Sequence, residues 1–127
     1  MNTWYTTLNK PPLTPPSWVF SPVWTILYIS IAVSIFLYYR SLSKPHLGLT
    51  TTVLVIHLLA NFVWTYLFFG LQSPGLALAD IILLDVTLIV LIGWFWKSSV
   101  PAGALLIPYL AWSLFATYLN LGFYKLN

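Results

Sequence analysis

Apolar residues dominate four stretches of the chain, each close to the length of about 20 residues that a helix needs to cross a bilayer. Short polar segments rich in Arg, Lys, Ser, Gln, Pro and Gly separate the four stretches. Since lipid offers backbone groups no hydrogen-bond partner, we expect each stretch to be a helix. Short connections make successive helices antiparallel neighbours. The predicted helices cover residues of about 18–39, 49–71, 76–96 and 101–124.

The composition supports the same conclusion. Hydrophobic residues make up 60% of the 127 residues and charged residues only 6%, whereas soluble domains carry about 25% charged residues. The pattern therefore predicts an all-α, multi-pass integral membrane bundle, a single domain over residues 1–127, with the lipid bilayer as its surroundings. The net charge of +3 is too small and too dispersed for a nucleic-acid partner. Because Cys is absent, disulfides, thiolate metal sites and Cys nucleophiles are excluded.

The segment before the first helix is rich in proline. Residues 1–17 contain Pro11, Pro12, Pro15 and Pro16, which lack backbone donors and favour extended geometry in the residues before them. A flexible linker would be rich in Gly and Ser instead. We therefore expect a stiff aromatic loop that lies as a lid over the mouth of the bundle.

Two further prolines fall inside predicted helices. Pro22 lies in the first turn of its helix, where a missing backbone donor costs little. Pro108 lies well inside the last helix, so we expect a kink there and an unpaired carbonyl near Ala104.

Two carboxylates lie within the third predicted helix. Asp80 and Asp85 are five residues apart, about 140° around a helix, so they do not share one face. A charge at bilayer depth is costly, so each must face the bundle, pair or be protonated. One interpretation is a neutral acid hydrogen-bonded to a neighbouring helix; the other is a contact with a ligand or a proton, which is favoured for Asp80 near the interface. The candidate basic partner within the bilayer is His57.

Polar and aromatic residues recur on single helix faces. His57 and Asn61 are four residues apart, and Trp64 continues nearly the same stripe. This stripe predicts either an interhelical hydrogen-bond seam or a polar anchor inside an aromatic pocket. Trp24 with Tyr28, and Trp112 with Tyr109 and Ala116, form similar stripes on two other helices.

Indole rings on three helices suit a cavity for a flat, mostly apolar ligand, because lipid-facing surfaces need only Leu, Ile and Val. Each stripe alone is also compatible with ordinary packing. The two His and two Asp residues show no metal-ligand spacing, no set of nucleophile, base and orienting group is visible, and no Gly-rich phosphate loop occurs. The sequence therefore predicts a ligand cavity with no metal and no required cofactor.

Four sequence motifs follow one another along the chain. The first is WY..L.KP...PP..VF..VW..LY, which starts at Trp4. The others are AN..W..LFFG from Ala60, LAL.DI from Leu76 and LLIPYLAWSLFATYLN from Leu105. In these motifs, which cover nearly the whole chain in order, the sequence resembles the TspO family, the tryptophan-rich sensory proteins and mitochondrial translocator proteins.

The resemblance implies binding of tetrapyrroles such as protoporphyrin IX, a membrane location in a bacterial or archaeal cell, and a homodimer. It implies no cholesterol binding, because Tyr124 directly abuts Lys125 whereas the animal motif needs a residue between them. Small residues on two helices would permit close packing in a dimer: Ala32 and Ser34 on the first, and Gly75, Ala77 and Ala79 on the third. The implied ligand-binding positions are Tyr5, Trp24, Tyr28, Asn61, Trp64, Asp80, Trp112 and Ala116, and the implied lid positions are Trp4, Pro15 and Pro16.

The chain departs from the family pattern in one respect. Family members have five transmembrane helices, and the motif that begins at Trp4 normally follows the first of them. The sequence therefore matches helices two to five. A start codon assigned too late, a short gene, or a partner that supplies the missing surface would each explain this.

Three functions are compatible with these features. The first is a porphyrin-binding sensory or regulatory membrane protein. The second is a light-dependent porphyrin-degrading enzyme in which Trp24 and Trp112 supply oxidisable rings; no other catalytic residue is predicted. The third is a porphyrin or small-molecule transporter, which is least favoured because no inverted repeat and no pair of broken helices is visible. A purely structural membrane protein would explain the apolar stretches but not the placement of the tryptophans.

Overall fold

The chain folds as a bundle of long helices whose outer surface is apolar. The computed structural model describes residues 9, 11, 14 and 17–126, except for the side chains of residues 17 and 20. The helices are α1 (Phe20–Arg40), α2 (Leu47–Thr65), α3 (Pro74–Ser98), α4 (Val100–Ala104) and α5 (Ile107–Leu126). A short 3-10 turn, Ser17–Val19, precedes α1, and a π-helical turn, Tyr66–Gly70, continues α2.

Among the described residues, four helical stretches are long and apolar enough to cross a membrane, which confirms the predicted fold class. Most of their exposed large side chains are Leu, Ile and Val, which a soluble protein could not leave in contact with water. The chain is therefore an integral multi-pass membrane protein. The four spans are Ser21–Arg40, Leu47–Gly70, Pro74–Ser98 and Val100–Leu126.

Helix α3 is the centre of the bundle. It packs against α2, α4 and α5, whereas α1 packs against α4 and α5. It starts where the Ser73 hydroxyl accepts a hydrogen bond from the Leu76 amide, with Pro74 in the first turn. The central position explains why α3 combines the highest mean hydropathy of the four spans, 2.5, with the greatest burial.

The last span is broken close to Pro108, as predicted. Helix α4 ends at Ala104 and α5 begins at Ile107, because a proline cannot donate the hydrogen bond that would continue the helix. Two serines of α1 bind the backbone at the break: Ser34 donates to the Ala102 carbonyl at 2.6 Å, and Ser30 to the Leu105 carbonyl at 2.7 Å. The carbonyls of Ala102 and Leu105 lie on either side of Ala104, near which an unpaired carbonyl was predicted.

The small residues considered for a dimer face are partly inside the bundle. Ser34 and Ala77 are both 0% exposed, and Ser34 is engaged by the broken helix. Neither side chain can contribute to a surface between two copies of this bundle. Ala32 and Ala79 are exposed.

Candidate functional site

Two adjoining cavities lie between α1, α2, α3 and α5. The larger has a volume of about 200 Å³ and the smaller about 100 Å³. Trp24, Trp64, Thr65 and Ala116 line both, so the two cavities are compartments that share a wall. The other residues of the larger compartment are Phe68, Phe69, Trp112, Leu119, Asn120 and Phe123, and those of the smaller are Tyr28, Asn61, Ile81, Leu84 and Ser113.

The three indoles predicted to face a common hollow do so. Trp24, Trp64 and Trp112 all line the larger compartment. Trp24 meets Trp112 edge to face with ring centroids 6.5 Å apart, and it lies 5.7 Å from Tyr28. Aromatic pairs at these separations are favourable beyond the area that they bury. The cavity therefore has rigid, electron-rich walls.

The π-helical turn brings further aromatic rings to the larger compartment. In the turn Tyr66–Gly70 the Leu71 amide bonds the Tyr66 carbonyl, five residues back, at 2.8 Å. Phe68 stacks on Trp64 with centroids 5.0 Å apart, and Phe69 meets the edge of Trp64 at 6.1 Å. Single π turns inside helices are frequent at functional sites.

A chain of five polar side chains runs from the smaller compartment into the bundle. The Tyr28 hydroxyl donates to Asn61 Oδ1 at 2.8 Å, and Asn61 Nδ2 donates to the Tyr109 hydroxyl oxygen at 2.7 Å. That oxygen lies 2.9 Å from His57 Nε2, and His57 Nδ1 lies 2.9 Å from Thr87 Oγ1. The stripe of His57 and Asn61 is thus a hydrogen-bond seam, and its outer member, Asn61, also lines the smaller compartment.

Asn120 fixes the orientation of Trp64. Its Oδ1 accepts from the Trp64 indole nitrogen at 2.9 Å, and its Nδ2 donates to the Pro74 carbonyl at 2.8 Å. One amide therefore ties an indole of the shared wall to the first turn of α3.

Asp85 is bound by hydroxyl groups of the last helix, and the prediction of His57 as a partner for the carboxylates is wrong. Ser113 donates to Asp85 Oδ1 and Thr117 to Oδ2, each at 2.5 Å. His57 instead contacts Thr87 and Tyr109. Neutral hydroxyl and imidazole groups satisfy these buried positions without an ion pair, which would carry a large desolvation cost.

Asp80 does not line either compartment. It lies one turn closer to the start of α3 than Leu84, a residue of the smaller compartment. Its Oδ2 is buried and has no hydrogen-bond partner among the described residues. The described part of the chain also contains no cluster of three or more potential metal ligands.

Several predicted positions lie outside the described residues: Trp4, Tyr5, Pro15 and Pro16. Two described residues of the same segment contact α5. Pro11 is buried against Gly122, and Asn9 Nδ2 donates to the Leu126 carbonyl at 3.3 Å. The segment thus meets the end of α5 beside Phe123, a residue of the larger compartment.

The sequence analysis missed other site residues. Ser113 and Thr117 are four residues apart on the face of α5 that meets Asp85, and their spacing was a usable signal. Asn120 continues the stripe of Trp112 and Ala116 by one more turn, so the same periodicity could have found it.

Comparison with known proteins identifies relatives along nearly the whole chain. The TspO/MBR family model matches residues 1–126. The Tryptophan-rich protein TspO of Archaeoglobus fulgidus is 41% identical over 127 residues, which are 100% of this chain and 82% of the relative. The human Translocator protein is 36% identical over 124 residues, 92% of this chain and 70% of the relative. The Tryptophan-rich sensory protein of Cereibacter sphaeroides is 33% identical over 124 residues, 98% of this chain and 77% of the relative.

Proposed function

The chain belongs to the TspO/MBR family, and we propose that it is a membrane-embedded sensory protein that binds a tetrapyrrole such as protoporphyrin IX. The observation that carries the proposal is the common cavity of Trp24, Trp64 and Trp112. Flat aromatic walls with a few polar groups suit a flat, largely apolar macrocycle. The name of one relative, the Tryptophan-rich sensory protein of Cereibacter sphaeroides, supports the sensory role.

The size of the cavity indicates how such a ligand binds. Pockets for drug-sized ligands have volumes of about 300–1,000 Å³, and the larger compartment has about 200 Å³. Only one edge of a macrocycle therefore fits into the larger compartment, against a wall that contains Trp24 and Trp112, unless the shared wall moves aside. Trp64, which Asn120 holds in place, is the part of that wall that would have to move.

Intrinsic tryptophan fluorescence tests the proposal. Titrating protoporphyrin IX into detergent-solubilised protein should quench the emission saturably, because a bound macrocycle accepts excitation energy from the indoles around it. The double variant Trp24→Phe/Trp112→Phe should bind more weakly. Trp96→Phe is the control, since Trp96 lies outside both compartments. Quenching that does not saturate, or that is the same in the double variant and the control, would rule the proposal out.

A second candidate function is light-dependent degradation of the bound porphyrin. The edge-to-face contact of Trp24 and Trp112 favours it, because two oxidisable rings in contact on the cavity wall could pass an electron to an excited ligand. Illumination in air should then bleach porphyrin bound to the protein faster than porphyrin in empty micelles. Equal rates would eliminate this function and leave ligand binding intact.

A further inference from the structure

The polar chain behind the smaller compartment has a fixed hydrogen-bond direction. Its inner end is Thr87, whose hydroxyl lies 3.0 Å from the carbonyl oxygens of Leu83 and Leu84. Carbonyl oxygens only accept, so the single hydroxyl hydrogen of Thr87 must point at them. Thr87 Oγ1 is therefore the acceptor for His57, and the ring hydrogen of His57 is on Nδ1.

This assignment fixes the donor and the acceptor of each following hydrogen bond in the chain. His57 is 2% exposed and has no carboxylate among its hydrogen-bond partners, so its ring is neutral, because a buried unpaired cation is very costly. A neutral ring with its hydrogen on Nδ1 accepts at Nε2. The hydroxyl hydrogen of Tyr109 therefore points at Nε2, and the oxygen of Tyr109 accepts from Asn61.

The amide of Asn61 completes the chain. Because its Nδ2 donates to Tyr109, its Oδ1 faces Tyr28 and accepts the hydroxyl hydrogen of Tyr28. Tyr28 lines the smaller compartment, and its hydroxyl hydrogen is taken up by Asn61, so Tyr28 Oη is left as an acceptor. The hydroxyl hydrogen of Ser113, which also lines this compartment, is taken up by Asp85.

We propose that Tyr28 Oη accepts a hydrogen bond from a donor group of the ligand in the smaller compartment, such as a pyrrole-type N–H. His57 does not line either compartment, and it acts as a positioning residue that sets the direction of the whole chain. This inference rests on the proposed function only in taking the cavity as a ligand site. It adds the chemical polarity of the group that the site recognises.

Three tricyclic probes of nearly equal shape test this polarity. Carbazole donates through its N–H, dibenzofuran only accepts, and fluorene does neither. Their uptake by nanodiscs that contain the protein is measured by equilibrium dialysis against empty nanodiscs. One neutral buried hydrogen bond predicts that the protein binds carbazole about three to ten times more tightly than fluorene.

Variants separate recognition from folding. Tyr28→Phe should abolish the preference for carbazole over fluorene, because it removes the accepting oxygen and keeps the aromatic ring. His57→Leu should also abolish the preference for carbazole. Without His57, Tyr109 loses its acceptor, and the direction of the hydrogen bonds that link it to Asn61 and Tyr28 is no longer fixed. His57→Gln should retain the preference, because the Gln amide oxygen can accept from Tyr109 while its nitrogen donates to Thr87. A purely structural role of His57 would instead weaken all three probes in parallel.

The following outcomes overturn the inference: equal binding of all three probes, dibenzofuran bound more tightly than carbazole, a preference that survives Tyr28→Phe, or no uptake that depends on the protein. If His57→Leu does not fold, the variants Tyr28→Phe and His57→Gln still test whether Tyr28 accepts a hydrogen bond from the ligand. A carbazole preference in a protein that fails to bind protoporphyrin IX would support this inference and contradict the tetrapyrrole proposal alone.

Discussion

At the scale of single residues, the contact between Pro11 and Gly122 joins the proline-rich segment to the last helix. A Cβ atom on residue 122 would lie 2.4 Å from Pro11 Cβ and 2.6 Å from Pro11 Cγ. No side chain can be added there unless the proline moves. Glycine at this position therefore permits the close approach of the two segments.

We predict that Gly122→Ala lowers the free energy of unfolding by about 1–3 kcal/mol, the typical cost of overpacking. Gly93→Ala is the matched control, because a Cβ on Gly93 meets nothing within 4 Å. In the control the extra helix propensity should be neutral or stabilising by up to about 1 kcal/mol. Thermal unfolding in detergent compares them, and equal melting temperatures would show that Pro11 does not pack on α5.

Helical periodicity predicted those site residues that share a face with another on their own helix. Trp24 with Tyr28, Asn61 with Trp64, and Trp112 with Ala116 were found in this way, and all line the cavities. Whether they bind a ligand remains a prediction.

Partners across helices could not be predicted, because they depend on how each helix is rotated about its axis. For Asp85 a hydrogen bond to a neighbouring helix was one of the two interpretations and His57 the candidate basic partner; the rotation of α5 presents the hydroxyls of Ser113 and Thr117 to it instead of an imidazole. Asp80 was likewise predicted to bind the ligand and lines neither compartment. Its orientation depends on the rotation of α3, which the sequence does not determine.

At the scale of elements, the broken last span depends on α1. Ser30 and Ser34 donate to carbonyls at the break between α4 and α5. In lipid these carbonyls have no alternative partner. The pair of serines thus allows Pro108 to interrupt a membrane-spanning helix.

Removing one of these donors should be measurable. We predict that Ser34→Ala lowers the free energy of unfolding by about 0.6–1.7 kcal/mol, the range for interhelical hydrogen bonds in membranes. Thr25→Val on the same helix is the control, because within the described part of the chain its hydroxyl bonds the Ser21 carbonyl of its own helix and no other helix. Unfolding by a denaturing detergent in mixed micelles provides the comparison. A loss no larger for Ser34→Ala than for Thr25→Val would contradict this role.

The elements themselves followed from hydrophobicity and proline placement, since the bilayer dictates both length and helicity. The π-helical turn at Tyr66–Gly70 did not follow. In a short run of apolar residues no polar position alternates with the apolar ones, so the sequence gives no sign of a local change in helical period. Its consequence, two phenylalanine rings in the larger compartment, therefore needed the structure.

At the scale of the whole molecule, the cavities lie between the helices, and the outer surface of the bundle is apolar. Helix α3 forms the back wall through Ile81 and Leu84, and α1, α2 and α5 supply the indoles. The arrangement places electron-rich rings inward, where lipid-facing helices would need only aliphatic side chains. The central claim is that Trp24, Trp64 and Trp112 surround a bound flat ligand.

Fluorine NMR of protein labelled with 5-fluorotryptophan tests that claim most directly. The ring current of bound protoporphyrin IX shifts only nearby fluorine nuclei, and single Trp→Phe variants assign the resonances. We predict large, saturable shifts for Trp24, Trp64 and Trp112, and none for Trp18 and Trp96, which are 74% and 46% exposed. Shifts confined to Trp18 and Trp96, or no saturable shift at all, would contradict a tryptophan-walled binding site.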